Sequence, residues 1–502
     1  MASPKSLALA LLCHLAVARP TVQLDNGTFT GTTTGSAPNT TSNTTSFLGI
    51  PFAFPPVGDL RFRLPVAHEP YNGSFNATTM SPACTQQALV YPDLTLLPFP
   101  LGVEVNAILH SVYTVVTPDS EDCLYINVIK PNWATSTSNL PVVVWIYGGA
   151  FQTGSTSQND GKVIVERSIF LNKPVIYVSM NYRLSALGFL AGPQVQQANI
   201  SNIGLQDQRL ALRWVQTYIA AFGGDPTKVT IWGESAGAIS VSLHMIANNG
   251  NPEGLFRAAF MQSGSPIPIG NETSMSAEQA FNQFVTKAGC NGTTDPIACL
   301  RQANYTTIKA AQDASPGPFS SSGLAHIWLP RGDGVFLTDN PQTLVENRVI
   351  AQVPVVTGDC DDEGTMFALA NTNLITDDDF RGWVQQFWYP NATKEQLDKL
   401  LKVYPSTLPE GSPFNTSYLN GLTPQFKRIA AYEGDLVFEA PRRFFQSAIS
   451  QNQWAFLSKR LKATPLLGSY HGSDLPFVYS QSLLLGELRD ALIYFINNLD
   501  PV

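Results

Sequence analysis

Apolar residues fall along this chain in short runs separated by longer stretches of mixed polarity. The runs at 142–147, 175–180, 228–232, 258–262 and 353–357 are rich in β-branched and aromatic residues, with little polar alternation. Such runs read as strands covered on both faces. Between them the period changes. Leu210, Ala211, Trp214, Val215, Tyr218 and Ile219 repeat at helical spacing, and Gly223-Gly224 closes that stripe. Ala236 to Ala247 is built of small and apolar residues and reads as a buried helix. A further apolar run, Trp454-Ala455-Phe456-Leu457, precedes a polar, glycine-flanked loop. Strands that alternate with helices predict an α/β fold: a central, mostly parallel sheet flanked by helices on both faces.

Three stretches break this alternation. Between Gln87 and Pro118 the only charged residues are Asp93 and Glu104, while Leu94, Leu96, Leu97, Phe99, Leu101, Val103, Ile108, Leu109, Val112 and Tyr113 are apolar or aromatic. Residues 31–46 are rich in Thr, Ser and Asn and read as a solvated loop. Met1 to Ala18 has Lys5 near its start, an apolar run from Leu7 to Leu12 and Ala16-Val17-Ala18 as a small-x-small site, the pattern of an export leader too short to span a bilayer. The expected organisation is a leader over 1–18 and a single domain over 19–502.

Composition narrows the function classes. A chain of 502 residues with 44% hydrophobic and 14% charged residues buries a large core. Its net charge of −8 and lack of a basic cluster argue against nucleic acid as a partner. Asn-x-Ser/Thr sequons stand at Asn26, Asn39, Asn43, Asn72, Asn76, Asn199, Asn271, Asn291, Asn304, Asn391 and Asn415, an excess that fits a secreted, glycosylated surface. Five cysteines follow the leader: Cys84, Cys123, Cys290, Cys299 and Cys360. Export makes disulfides permissible, and spacing favours a short Cys290–Cys299 loop. There is no Cys-x-x-Cys and no paired His on a helix, so no metal or other cofactor is expected.

The candidate chemistry centres on Gly233-Glu234-Ser235-Ala236-Gly237, set between the β-type run Val229–Trp232 and the helix-type run that follows. A serine at that junction sits on a sharp turn with its hydroxyl pushed outward, and flanking glycines let other backbone pass close by. The helix N-terminus behind it directs free N–H groups and a positive dipole end at whatever bonds to the serine. In such a frame the order along the chain is Ser, acid, His. Of the histidines beyond Ser235, His244 lies within the following helix and cannot turn back. His326 requires an acid before it. His471, in the loop after Trp454–Leu457, fits position and order. For the acid, Asp359, Asp361, Asp362 and Glu363 crowd after the run Val353–Thr357, and local pattern does not separate them. An oxyanion hole has a source in Tyr147-Gly148-Gly149-Ala150-Phe151, with two N–H groups from this loop joined by that of Ala236.

Taken with Phe47-Leu48-Gly49-Ile50-Pro51-Phe52-Ala53, Pro55-Pro56-Val57-Gly58-Asp59-Leu60-Arg61-Phe62, Ser120-Glu121-Asp122-Cys123-Leu124-Tyr125-Ile126-Asn127-Val128, Asn181-Tyr182-Arg183, Gly204-Leu205-Gln206-Asp207-Gln208-Arg209, Phe222-Gly223-Gly224-Asp225-Pro226 and Gln262-Ser263-Gly264-Ser265, these residues resemble the type-B carboxylesterase/lipase family of the α/β-hydrolase fold. The likeness is greatest to its long-lid fungal lipases and sterol esterases, and it runs from about residue 22 to the end. It implies Ser235 as nucleophile, Glu363 as acid and His471 as base, with Gly149, Ala150 and Ala236 forming the oxyanion hole. It also implies a Cys84–Cys123 disulfide closing a lid over 84–123, Cys360 as the leftover thiol, and Phe151, Met366 and Phe367 near the substrate. The family commonly has a third glycine where Ala150 stands, and the methyl group restricts that loop. The implied activity is hydrolysis of lipid, long-chain acyl or sterol esters through an acyl-enzyme, outside the cell, with transient contact to a lipid interface. A non-catalytic binding protein on the same fold, or a short-chain carboxylesterase or thioesterase, is the competing expectation.

Overall fold

The computed structural model describes residues 19–34, 41–325, 327–481 and 486–502. The leader over Met1–Ala18, the sequon at Asn39 and His326 lie outside the described residues. The strands that build the main sheet are β1 (Thr32–Thr34), β2 (Thr41–Pro51), β3 (Tyr125–Pro131), β4 (Leu140–Ile146), β5 (Ile176–Met180), β6 (Gly224–Glu234), β7 (Ala258–Gln262), β8 (Val355–Cys360) and β9 (Gln453–Ser458). They form a nine-stranded sheet in the order β9-β8-β7-β6-β4-β5-β3-β2-β1. From β9 through β5 every neighbouring pair is parallel; β5–β3, β3–β2 and β2–β1 are antiparallel. Every residue of β5, β7 and β8 is buried, which requires cover on both sheet faces. Each apolar run singled out in the sequence is one of these strands.

The helices used below are α1 (Leu101–Tyr113), α2 (Ile203–Tyr218), α3 (Ala236–Gly250), α4 (Asp377–Phe387), α5 (Lys394–Val403), α6 (Phe426–Gly434) and α7 (Ala440–Ala448). The apolar stripe read between Leu210 and Ile219 lies in α2 and the short turn after it, which Gly223 ends at φ +95°. Regular helix in α3 stops at Ile246: Ala247 turns extended, and Asn248 and Asn249 are left-handed.

One expectation fails. The Thr/Ser/Asn-rich stretch 31–46 is not wholly a solvated loop, because Thr44, Thr45 and Ser46 are buried in β2. They pair with Pro131, Lys130 and Ile129 of β3. Threonine is β-branched and suits a pleated strand, so polarity alone misread it.

Parallel strands share an edge where their C-terminal ends meet, and ligands bind there in open α/β sheets. The Gly148–Phe151 loop leaves β4 at that edge, Ser235 follows β6, Glu363 follows β8 and the His471 loop follows β9. Over this edge lies the segment closed by the Cys84–Cys123 disulfide. Its roots are also paired backbone to backbone, Ala83 with Asp119 and Cys84 with Ser120. Within it, α1 buries Val105, Leu109 and Tyr113, one face at i, i+4, i+8. Val90, Leu96, Phe99, Val103 and Val116 of the same segment face solvent. The second disulfide joins Cys290 and Cys299, and Cys360 is free and buried.

Candidate active site

Ser235 stands between β6 and α3 at φ 56°, ψ −127°, a conformation that side chains seldom adopt. The glycines around it are required by contact. A Cβ on Gly233 would come within 2.4 Å of the Gly237 carbonyl, and one on Gly237 within 2.0 Å of the Ile146 oxygen. The turn is tied on both sides: Ser235 N–H donates to Gln262 O at 2.9 Å, and Ile239 N–H to Ser235 O at 2.9 Å.

His471 meets the serine. Its Nε2 lies 2.8 Å from Ser235 Oγ, and its Nδ1 lies 2.6 Å from Glu363 Oε2. The other Glu363 oxygen accepts the Cys360 N–H at 2.6 Å, so the carboxylate is held by its own strand end. All three side chains are almost wholly removed from solvent: Ser235 is 8% exposed, Glu363 4% and His471 1%.

The four carboxylates that the sequence left unseparated have four different surroundings. Asp359 pairs with Arg442 of α7 at 2.5 Å. Asp361 and Asp362 both pair with Lys462, at 2.5 and 2.7 Å. Glu363 alone reaches the imidazole. Asp362 supports the histidine loop instead, accepting Ser469 N–H at 2.8 Å while its own N–H donates to Ser469 O at 3.0 Å. His244 is a buried residue of α3 whose Nε2 faces Gln208 Oε1 at 2.9 Å.

Burial opposes charge on His471, but Glu363, by charge and hydrogen bond, outweighs it and lifts the imidazole to about 9. Glu234, beside the serine, has an oxygen 3.5 Å from His471 Nε2. Burial raises its carboxyl to about 8 against the pull of the imidazole. Asp474, raised by burial to about 6, accepts from Gln262 Nε2 at 2.7 Å. Neither Glu234 nor Asp474 was picked out in the sequence. The first carried a signal in lying next to the serine; the second carried none.

After β4 the backbone turns left-handed at three successive residues: Gly149 at φ 108°, Ala150 at φ 59° and Phe151 at φ 58°. The carbonyl of Gly149 takes the N–H groups of Gln152 and Thr153. Among the described residues, no backbone or side-chain acceptor takes the N–H of Gly149, Ala150 or Ala236. Such a left-handed turn beside a helix N-terminus forms a nest of N–H groups suited to negative charge.

A cavity of about 290 Å³ opens onto Ser235 and His471, with Gly149 and Glu234 in its wall. Ser111, Val112 and Tyr113 of α1 close it from above. Beside it is an aromatic cluster. Phe367 lies 5.4 Å and Phe438 4.7 Å from the His471 ring, centroid to centroid, and Phe319 lies 6.0 Å from Phe367. Tyr113 meets Phe319 edge-on at 5.1 Å, joining the covering segment to this cluster. Phe438 is held there by a π-helical turn, Asp435–Glu439, between α6 and α7. Of the three predicted substrate residues, Phe367 reaches the histidine. Met366 is buried, and Phe151 packs on Phe189 at 4.8 Å; none of the three is among the residues lining the cavity. Phe319 and Phe438 escaped the sequence reading because nothing local marks a distant aromatic as a neighbour. No group of three or more His, Cys, Asp or Glu among the described residues is arranged to hold a metal ion.

Comparison with known proteins gives a consistent result. The carboxylesterase family model matches residues 18–491. The chain is 42% identical to Lipase 2 of Diutina rugosa over 98% of its own length and 90% of that protein. It is 38% identical to the secreted triacylglycerol lipase LIP1 of Gibberella zeae, over 96% of this chain and 83% of that one. Among solved structures, Aspergillus niger EstA superposes with a TM-score of 0.79 at 31% identity, covering 96% of this chain and 89% of that chain.

Proposed function

The chain belongs to the carboxylesterase family, has the α/β-hydrolase fold and is a carboxylic ester hydrolase; on that premise we propose that it cleaves lipid esters, of long-chain acyl or sterol type, outside the cell through a Ser235–His471–Glu363 triad. The observation that carries this is the unbroken hydrogen-bond line from Ser235 Oγ through the imidazole to Glu363.

In this mechanism His471 Nε2 takes the Ser235 proton as Oγ bonds to the ester carbonyl carbon. The carbonyl oxygen becomes an oxyanion in the nest of Gly149, Ala150 and Ala236 N–H groups; one such donor is worth roughly 3 kcal/mol in the transition state. Glu363 fixes the Nδ1–H tautomer and stabilises the imidazolium. The C–O bond to the alcohol then breaks, and the alcohol leaves with the proton from Nε2. Water, deprotonated by the same nitrogen, attacks the acyl carbon; the bond to Ser235 Oγ breaks, Oγ takes the proton back from Nε2, and the acid is released.

The preference for lipid rests on three observations. The cluster of Phe319, Phe367 and Phe438 offers an apolar bed beside the histidine. The 84–123 segment, which we read as a lid, closes over the cavity with Val112 and Tyr113, beside Ser111. The Gibberella zeae relative is a secreted triacylglycerol lipase. Opening that lid in water exposes apolar area at about 25 cal/mol per Å². A lipid surface removes that cost and shifts the population to open. Export follows from the leader pattern, and all ten sequon asparagines among the described residues are exposed, as glycosylation requires.

The test is labelling with a serine-directed phosphonate and peptide mapping, followed by hydrolysis of short and long acyl esters across their solubility limits. Label on Ser235 and a rise in rate on emulsified long-chain ester are expected. No label on folded protein would favour the binding reading, and a flat response with short-chain preference would remove the lipid one.

A further inference from the structure

Away from Ser235, an open pocket of about 480 Å³ lies on the turn that follows α4 and the first turns of α5, within the size range of small-ligand sites, about 300–1,000 Å³. All of its lining comes from residues 388–400, among them Trp388, Tyr389, Asn391, Gln396, Leu397 and Leu400. Asn391 is also the acceptor of a sequon, Asn391-Ala392-Thr393. A pocket that has a glycosylation acceptor in its own wall, with a Trp and a Tyr three and two residues before it, has an evident occupant. We propose that the first N-acetylglucosamine of an N-linked glycan on Asn391 seats in this pocket against Trp388 and Tyr389 and secures the α4–α5 junction.

The local structure presents the asparagine for this. Ala392 N–H donates to Tyr389 O at 3.0 Å, a reverse turn with Pro390 and Asn391 at its apex. Pro390 fixes φ at the turn, so the attachment point is pre-set. Asn391 is exposed, and Tyr389 is 44% exposed despite its size. The Trp388 ring is braced edge-on by Trp383 at 6.2 Å and Tyr432 at 5.9 Å. N-acetylglucosamine presents C–H groups on one face and hydroxyl and acetamide groups on its rim. Its C–H face suits the electron-rich face of an aromatic ring, and covering Tyr389 removes apolar area from water. Gln396 Oε1 is held by Thr393 N–H at 2.8 Å, which fixes the side chain and leaves its NH₂ for an acetamide carbonyl. Because the sugar is covalently tethered at the pocket wall, no association entropy opposes its seating.

This inference goes beyond ester hydrolysis and shares with the functional reading only the requirement for export. The experiment takes the full chain secreted from a eukaryotic host that leaves high-mannose glycans. Peptide mapping gives occupancy at each sequon. Hydrogen exchange is then followed on peptides spanning 384–403 in three forms: untreated, trimmed by endoglycosidase H to one N-acetylglucosamine, and stripped by peptide N-glycosidase F. The expected result is occupied Asn391 and equal protection in the first two forms, with exchange roughly threefold or more faster in the stripped form. Asn391→Gln, which never carries the sugar, behaves as stripped protein, and Tyr389→Ala loses the difference between trimmed and stripped forms. Bare Asn391 beside other occupied sequons, or identical exchange in all three forms, overturns the proposal and leaves ester hydrolysis untouched. Sugar at no sequon overturns it together with export.

Discussion

Replacing Glu363 by glutamine tests the site through a single proton. Cys360 N–H donates to Glu363 Oε1 at 2.6 Å and fixes which way the side chain faces. In Glu363→Gln the amide oxygen keeps that donor, so the NH₂ turns toward His471 Nδ1, now 2.6 Å from a carboxylate oxygen. Two N–H groups cannot face each other at that distance. The imidazole must adopt the tautomer with its proton on Nε2, and that nitrogen can no longer accept from Ser235 Oγ. Loss of the base and of the charge that stabilises imidazolium should lower kcat by about 10³–10⁴, roughly 4–5.5 kcal/mol of barrier. The pH profile should move as well. In the wild type Glu363 lifts the imidazole to about 9 against burial, so activity on a soluble ester should rise with pH through a midpoint above the ordinary 6.5. Without the carboxylate charge, burial is opposed less and the midpoint of the residual activity should fall. Steady-state kinetics on a soluble short-chain ester from pH 5 to 10 measure both, with thermal unfolding as the control for folding. Less than tenfold loss with an unmoved midpoint would refute the role assigned to Glu363.

Other outcomes follow from the same geometry. Ser235→Ala should abolish phosphonate labelling and reduce ester hydrolysis to background, read by mass spectrometry and rate. Gly237→Ala places a Cβ about where the Ile146 oxygen stands, at 2.0 Å, and should destabilise the protein by more than about 3 kcal/mol in denaturant titration. Asp362→Ala leaves Lys462 paired with Asp361 but frees the buried Ser469 N–H, so it should cost about 1–3 kcal/mol and lower activity without replacing Ser235, Glu363 or His471. Glu234 has a raised pKa, so its contribution to stability is complete below the unfolded value near 4.5 and is lost as pH rises through about 8. Glu234→Gln should therefore flatten the fall in unfolding free energy between pH 5 and 9, measured by denaturant titration.

What was legible in the sequence was local. The runs that became β4 to β8 announced themselves because burial on both faces leaves no room for polar alternation. The serine turn was legible because its glycines answer contacts two residues away. The acid was not, since Asp359, Asp361, Asp362 and Glu363 are told apart only by Arg442, Lys462 and His471, which arrive from about 80 to 110 residues downstream. Resemblance implies Glu363, and of the four it is the one with an oxygen within hydrogen-bond reach of His471 Nδ1. The nest after β4 was half legible: Gly149 suggested it, but left-handed Ala150 and Phe151 are non-glycine residues carried there by the loop. A left-handed alanine costs on the order of 1 kcal/mol, borne by the surrounding structure. The buried Thr44 to Ser46 were missed because polarity was allowed to outweigh branching.

The outer side of the 84–123 segment has a practical consequence. Phe99 is 87% exposed, and Leu96 and Val103 are likewise open. A molecule so built offers oil the side chains of this cap without first rearranging. On a hydrophobic chromatography bead it would be held cap-first, oriented rather than scattered. Salt would tighten that grip, and a mild detergent would release it.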